Sequence, residues 1–177
     1  MDTKTLDLGC GPMPKNPYNK EIVYGIDFKE NKELNIYKAD LAIEPIPFED
    51  NTFDVVTAFD FLEHIPRVIY NPTCRFPFVE LMNEIYRVLK PEGIFHSLTP
   101  AYPAPEAFQD PTHVNIITER TVWGYFCNPW LGAKIYGFKG KFDIVHQYWS
   151  MYNQSTDSWE SRDSNNSHLT IVIKKVV

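Results

Sequence analysis

A glycine-rich turn near the start of the sequence carries the first chemical signal. Gly9 and Gly11 follow the predicted strand at residues 5–8, and glycines in such a turn permit a positive φ and a close backbone approach to a ligand. Asp27 stands about 20 residues later, at the end of the next predicted strand, where an acid suits the two hydroxyls of a ribose. The pattern indicates a site for an adenosine-containing ligand.

Two further acids, Asp40 and Asp60, also follow predicted strands. In an open α/β sheet, ligands bind outside the carboxyl ends of the strands, so all three acids point to one edge. A dinucleotide fingerprint would need glycine at position 14, where Pro14 lacks the N–H that would bind a pyrophosphate. No phosphate-binding GxxxxGK[ST] sequence occurs. The turn therefore favours an adenosine without phosphates.

The elements that must position these acids alternate between short apolar runs and helices, which predicts an α/β fold with a mostly parallel sheet. The clearest helix is predicted over residues 78–90, because Val79, Met82 and Ile85 recur at helical spacing. Shorter helical segments are predicted after Thr118 and over residues 61–65. Strands are predicted at residues 5–8, 22–26, 35–39, 54–58, 93–98, 142–149 and 168–173, the last two as an antiparallel pair.

The connections between the first three strands are short. Residues 12–21 contain three prolines, and residues 28–33 are too few for a crossover helix. Parallel strands ordinarily need a crossover of a dozen or more residues. We therefore expect these crossover helices to be reduced to loops, leaving a sheet face that a second copy of the chain can cover as a homodimer. The first strand begins close to Met1, so no N-terminal helical lid is expected.

Composition narrows the class of protein. The 177 residues predict a single domain over 1–177. The net charge of −6 argues against nucleic-acid partners. No apolar stretch is long enough to span a membrane, and the first residues do not predict a signal peptide. Three scattered cysteines, Cys10, Cys74 and Cys127, favour neither a disulfide framework nor a CxxC site. We expect a cytoplasmic location.

The sequence resembles class I S-adenosylmethionine-dependent methyltransferases of the methyltransferase type 11 kind. The resemblance implies S-adenosylmethionine as cofactor, S-adenosylhomocysteine as product, and a Rossmann-like seven-stranded sheet whose last strand is antiparallel. Met13 stands where the family usually has a third glycine. The matching blocks, in family order, are residues 6–12 (LDLGCGP), 23–27 (VYGID), 38–41 (KADL), 46–65 (IPFEDNTFDVVTAFDFLEHI) and 84–100 (EIYRVLKPEGIFHSLTP).

The resemblance also implies residue roles. Asp27 would hold both ribose hydroxyls, Phe28 would flank the adenine, and Phe59 would border the cofactor amino group. Asp7 would support the glycine turn, and Glu63 would face the pocket rim. The residues that the resemblance assigns to cofactor binding are Asp7, Gly9, Cys10, Gly11, Asp27, Phe28, Asp40, Leu41, Phe59, Asp60 and His64.

The resemblance also implies a cofactor-binding half at residues 5–100 and a half at 101–177 that carries the substrate loop, a helix and the C-terminal antiparallel strands. Within this second half, a proline-rich loop covers residues 101–113. Asp110 and His113 are three residues apart, so we expect them to form an orienting pair with His113 as a base. His64 is a further catalytic candidate. The acceptor site is expected from residues 66–77 and 101–130. Asp60, His64, Asp110 and His113 show no recognised metal-ligand spacing, so no metal is predicted.

These features predict transfer of a methyl group from S-adenosylmethionine to an oxygen or nitrogen of a small-molecule acceptor. Two alternatives stay open from the sequence. One is a non-catalytic S-adenosylmethionine-binding or scaffold subunit of a larger assembly. The other is aminopropyl transfer on the same fold, for which Asp60 and Glu63 are present but the rest of the chain does not match.

Overall fold

The centre of the molecule is a mixed sheet whose parallel strands carry the sequence motifs. The structure is a computed structural model that describes residues 2–70, 72–130, 132–153, 155, 158–161 and 166–177. The strands, in chain order, are β1 (Lys4–Leu8), β2 (Ile22–Asp27), β3 (Ile36–Lys38), β4 (Phe53–Phe59), β5 (Ile69–Tyr70), β6 (Cys74–Arg75), β7 (Leu89–Pro100), β8 (Phe142–Asn153), β9 (Ser158–Ser161) and β10 (His168–Lys175).

In the described part of the chain, the main sheet has eight strands in the order β3-β2-β1-β4-β7-β10-β8-β9. The first five of these pair in parallel, and β10 runs antiparallel between β7 and β8. The predicted α/β, Rossmann-like sheet with an antiparallel last strand is confirmed. The predicted count of seven strands was one too low, because β9 pairs with the end of β8. Its sequence, Ser-Trp-Glu-Ser, is too short and polar to show apolar alternation.

Helix α1 (Pro77–Val88) covers one face of the sheet. It begins with proline at its first position, where the missing N–H costs nothing. Its buried positions Leu81, Met82 and Ile85 belong to the same hydrophobic cluster as strand residues from β1 to β10. The helix ends two residues before the predicted position 90, because Leu89 is extended and begins β7. Strand β7 is therefore longer than predicted.

The opposite face of the sheet is covered by a loop rather than by a helix. No helix joins β1 to β2, and a single 3-10 turn, Lys32–Leu34, joins β2 to β3. The loop over residues 9–21 lies on the sheet instead. The Tyr18 hydroxyl lies 3.3 Å from His96 Nδ1, and the Lys15 ammonium lies 5.1 Å from the Phe59 ring centre. The predicted reduction of the crossover helices to loops is confirmed.

The remaining described helices are short, and none is long and apolar enough to cross a membrane. A 3-10 turn, Leu62–His64, follows β4 as predicted, and α2 (Glu106–Gln109) lies in the proline-rich loop. Helix α3 (Glu119–Val122) continues into a π-helical turn at Trp123–Cys127. Thr118 caps α3 by accepting the Arg120 N–H at 3.3 Å, as its position in the sequence predicts.

The assigned core can be tested with one substitution made at two sites. Ile85→Ala removes a fully buried side chain from α1, so we expect the free energy of unfolding to fall by about 2–5 kcal/mol. Ile135→Ala makes the same change at a side chain that is 80% exposed and should cost less than about 0.5 kcal/mol. Urea unfolding measures both. Equal losses would contradict the packing of α1 against the sheet.

Candidate functional site

A cleft of about 270 Å³ lies at the carboxyl edge of the parallel strands. It is bordered by the turn after β1, the end of β2 and the segments that follow β3 and β4. The structure brings together most of the cofactor residues predicted from the sequence. The lining residues are Gly9, Ile26, Asp27, Phe28, Ala39, Asp40, Leu41, Ala42, Asp60, Phe61, His64 and Ile65.

Asp27 ties the glycine turn to the end of β2. Its Oδ2 accepts the Gly11 N–H at 2.9 Å, and its Oδ1 accepts the Phe28 N–H at 2.7 Å. Gly9 and Gly11 have φ of 62° and 61°, which favours glycine. A Cβ at Gly11 would meet no atom within 4 Å, so the turn is open on that side. Each Asp27 oxygen keeps a lone pair that can accept a ligand hydroxyl.

Asp7 and Cys10 shape the turn from beneath and do not line the cleft. Asp7 is 1% exposed, and its two oxygens accept the Thr57 hydroxyl at 2.6 Å and the Lys15 N–H at 2.8 Å. Burial raises the pKa of this carboxyl above its usual value, despite both hydrogen bonds. The Cys10 N–H donates to the Ile26 carbonyl, and burial raises the pKa of its thiol to about 12. Cys10 is therefore a neutral, buried thiol.

Two aromatic residues at and just beyond the end of β4 take different positions. Phe59 packs edge-on against His96, with ring centres 5.1 Å apart, and is not among the residues that line the cleft. Phe61 lines the cleft and fills the space beside Gly9, where a Cβ would lie 2.3 Å from its ring. Phe59 was predicted from the sequence, and Phe61 was not. Continued alternation from β4 would have placed both on the same face, but the left-handed backbone of Asp60, with φ of 51°, ends the alternation between them.

Asp60 is held at the cleft by contacts from two other strands. It adopts a left-handed backbone with φ of 51°, and its N–H donates to the Leu98 carbonyl of β7 at 2.9 Å. Its Oδ1 lies 3.1 Å from His168 Nε2 at the start of β10. His168 could not be predicted as a site residue, because only the antiparallel return of β10 brings it to this edge.

The rim of the cleft is built from the turn after β4 and the loop after β7. Glu63 is buried, and its Oε2 accepts the Thr99 hydroxyl at 2.8 Å. Burial raises the pKa of the Glu63 carboxyl. The His64 and His113 rings meet edge to face, with centres 5.0 Å apart. His113, Glu63 and His64 therefore lie together at the rim.

The expected side-chain pair between Asp110 and His113 is not among the hydrogen bonds of the described residues. Asp110 Oδ1 instead accepts the Thr112 N–H at 2.7 Å and the Thr112 hydroxyl at 2.6 Å, and these bonds lower the pKa of its carboxyl. Thr112 thus gives the Asp110 carboxylate two hydrogen-bond donors from within the same loop. The catalytic assignments of His64, Asp110 and His113 stay predictions.

A second, larger cavity of about 700 Å³ lies beyond the rim. Most of its wall comes from the two segments expected to form the acceptor site. Asn115, which is 1% exposed, braces this wall, since its amide donates to the Leu62 carbonyl and its oxygen accepts from Arg67 Nε. Neither Asn115 nor Arg67 was predicted. The cavity is lined by Arg67, Val68, Phe76, Phe78, Val79, Tyr102, Ile116, Thr118, Arg120, Thr121, Tyr125, Phe126 and Tyr136.

Comparison with known proteins decides the family. Residues 6–97, more than half of the chain, match the model of a family described as "Methyltransferase domain". The chain belongs to this family. Demethylmenaquinone methyltransferases of Listeria welshimeri and Listeria monocytogenes are 32% identical to it over 110 residues, which cover 51% of the chain. The chain spans only 42% of the length of these relatives.

Solved structures agree with this methyltransferase domain in fold. A SAM-dependent methyltransferase from Archaeoglobus fulgidus aligns with a TM-score of 0.64 at 18% identity, covering 98% of this chain and 86% of that one. One from Methanosarcina mazei aligns with a TM-score of 0.61 at 18% identity, covering 99% and 93%. At these identities, the likeness shows the fold.

Membership in the methyltransferase domain family implies S-adenosylmethionine as cofactor, and the cleft fits it. The open side of Gly11, the Asp27 carboxylate and the exposed Phe28 ring supply a close backbone approach, a hydroxyl acceptor and an apolar surface. These are the features that an adenosine with an attached amino acid requires.

The buried Asp7 predicts a pH-dependent difference in stability. Folding raises the pKa of Asp7 above its unfolded value of 3.8, so the protonated carboxyl favours the folded state. This contribution to the stability of the protein is complete below pH 3.8 and is lost as the pH rises through the folded pKa. Asp7→Asn does not titrate, and its amide can still accept from Lys15 N–H and donate to the Thr57 hydroxyl. Its free energy of unfolding relative to wild type should therefore rise with pH, by up to about 1.4 kcal/mol per unit.

Urea unfolding of both proteins between pH 4 and pH 7 measures this difference, in which the contributions of the other acids cancel. A difference that does not change with pH would contradict the burial of an ionisable Asp7 under the glycine turn.

Proposed function

We propose that this methyltransferase domain binds S-adenosylmethionine in the cleft and transfers its methyl group to an oxygen or nitrogen of a small-molecule acceptor. One observation carries the proposal. The Asp27 carboxylate lines the cleft while it holds the Gly11 turn to the end of β2. An acid at that place, beside an open glycine turn, suits a ribose diol.

The residues around Asp27 are proposed to bind different parts of the cofactor. Phe28 is 68% exposed beside Asp27 and offers a face for the adenine. Asp40 is fixed by its own turn, since its Oδ1 accepts the Ala42 N–H at 3.1 Å, and it borders the same cleft with Leu41. When bound, S-adenosylmethionine supplies a methyl group on a positively charged sulfur that an acceptor atom attacks in line. The chain contributes alignment, which is the main requirement of such a reaction.

The larger cavity is the proposed acceptor site. Ile65 lines the cofactor cleft and Arg67 lines the larger cavity, so residues only two positions apart in the chain line the two cavities. Six aromatic side chains and two arginines line the larger cavity, and none of the described residues that line it is an acid. Arg67 is held by Asn115, whereas Arg120 is exposed with no ion pair among the described residues. This lining favours an aromatic acceptor that carries a negative charge.

His64 and His113 are the groups proposed to take the acceptor proton. Both rings lie at the rim of the cleft, where His64 follows β4 and His113 comes from the loop after β7. An acceptor hydroxyl or amine loses one proton as it gains the methyl group, and a nearby imidazole can accept that proton at neutral pH.

Calorimetry with S-adenosylmethionine and S-adenosylhomocysteine tests the cofactor site. We expect Asp27→Ala to weaken both affinities by about 10- to 100-fold, because hydrogen bonds to a charged group contribute about 1.5–3 kcal/mol. Asp143→Ala removes an exposed carboxylate on β8, away from the cleft, and should leave both affinities unchanged. The absence of binding by the wild-type chain would contradict the proposal.

Mass spectrometry tests the acceptor class. Incubation with S-adenosylmethionine and a panel of aromatic carboxylates, phenols and polyamines should add one CH₂ unit to aromatic acids and none to polyamines. Tyr125→Ala enlarges the cavity and should raise the acceptor KM without changing S-adenosylmethionine affinity. Tyr148→Ala, a partly exposed tyrosine on β8 outside both cavities, is the control. Methylation of polyamines alone would contradict the assigned acceptor class.

A second candidate is a non-catalytic S-adenosylmethionine-binding subunit. It is favoured by the sheet face on which the loop over residues 9–21 lies. Tyr148 of β8, which pairs with β10 beside β7, is 44% exposed and could contact a partner chain there. A Haloferax volcanii methyltransferase with a similar fold, TM-score 0.61 at 16% identity, was solved in complex with the Trm112 methyltransferase activator. Cofactor binding without methylation of any member of the acceptor panel would favour this candidate.

A further inference from the structure

Three metal-ligating side chains meet at the rim of the cleft. Glu63, His64 and His113 each offer one ligand atom, and these three atoms lie within 4.8 Å of one another. Glu63 and His64 stand on the 3-10 turn after β4, whereas His113 comes from the loop after β7. Two backbone hydrogen bonds hold that loop in place, since the Val114 and Asn115 N–H groups both donate to the Glu63 carbonyl at 2.9 Å.

Two of these side chains carry buried polar atoms without a partner. Glu63 Oε1 and His113 Nδ1 are each buried and have no hydrogen bond among the described residues. Glu63 as a whole is only 1% exposed. A buried polar atom left unpaired costs about 1–3 kcal/mol, and folded proteins leave few of them. A cation between these side chains would satisfy both.

The outer contacts of the same residues are those that metal ligands commonly make. Glu63 Oε2 accepts the Thr99 hydroxyl at 2.8 Å, which orients the carboxylate and leaves Oε1 free. His64 Nδ1 lies 3.3 Å from the Thr112 carbonyl and 3.1 Å from the Thr112 hydroxyl. A proton on Nδ1 donated to that carbonyl leaves Nε2 as the free ligand, the usual arrangement for a metal-bound histidine.

We propose that Glu63, His64 and His113 bind a divalent transition-metal ion such as Zn²⁺. Two imidazoles and one carboxylate suit Zn²⁺ and its first-row neighbours, whereas Mg²⁺ and Ca²⁺ prefer all-oxygen sites. Ligand bonds of about 2.0–2.1 Å would draw the three atoms to roughly 3.3 Å apart. His64 is only half-buried at the rim, so its ring can make that adjustment.

Three protein ligands leave at least one coordination position for water or for another oxygen. Because His64 also lines the cofactor cleft, an acceptor oxygen could occupy that position and lose its proton more readily to water. With the ion bound, His64 and His113 would serve as its ligands instead of accepting that proton themselves. This role of the ion rests on the proposed function. Binding of the ion does not, since it requires neither S-adenosylmethionine nor an acceptor.

Calorimetry of the metal-free chain with Zn²⁺, in the absence of S-adenosylmethionine, tests the site. We expect one ion per chain, with binding weakened at least about 10-fold by Glu63→Gln and by His113→Gln. His146→Gln removes an exposed imidazole from β8 and should leave Zn²⁺ affinity unchanged. Mg²⁺ in place of Zn²⁺ should give no comparable heat. No Zn²⁺ binding, or equal binding by all four proteins, would overturn the site.

Two further measurements separate loss of the site from loss of the fold. Circular dichroism shows whether each variant folds without metal, and His64→Gln at the half-buried rim provides a third ligand variant if Glu63→Gln does not fold. The visible spectrum of bound Co²⁺ should differ from that of the wild-type chain in the ligand variants and should match it in His146→Gln. Zn²⁺ binding without methylation would support the metal site while contradicting the proposed function.

Discussion

The hydrogen bond from the Gly11 N–H to the Asp27 carboxylate is the contact on which the site depends. It joins the turn after β1 to the end of the neighbouring strand, and it fixes both at the edge where the cleft opens. Gly9 and Gly11 must take positive φ for the N–H to point at this carboxylate. The same carboxylate is therefore both a clamp for the turn and the proposed acceptor for the ribose hydroxyls.

The turn keeps its shape although the crossover helices are reduced to loops. Asp7 lies beneath it and binds the Lys15 N–H, so the loop that follows the turn is tied back to the sheet. Tyr18 then extends the loop across the sheet face to His96. Burial lowers the pKa of the His96 imidazole, which keeps it neutral against the tyrosine hydroxyl. Polar contacts thus hold the loop against the sheet face that a packed helix would cover in a longer crossover.

The sequence was sufficient to place a residue where its position along a strand decides which edge of the sheet it reaches. Asp27 and Asp40 were identifiable because acids at strand ends meet at one edge of a parallel sheet. Phe61 was missed because strand alternation ends at the left-handed backbone of Asp60, which the sequence pattern does not reveal. Asn115 and His168 were missed because their partners lie far away along the chain, in contacts that only the folded loops and the return of β10 create. The strand β9 was missed because four polar residues show no periodicity.

The cleft beside Asp27 is proposed to hold the adenosine of S-adenosylmethionine. A crystal structure of the chain with S-adenosylhomocysteine would show this binding mode itself. We expect both ribose hydroxyls within hydrogen-bond distance of the Asp27 carboxylate, with the adenine against Phe28 and the amino acid end over Gly9 and Gly11. Density for the ligand elsewhere, with the Asp27 carboxylate facing only the protein backbone, would contradict it.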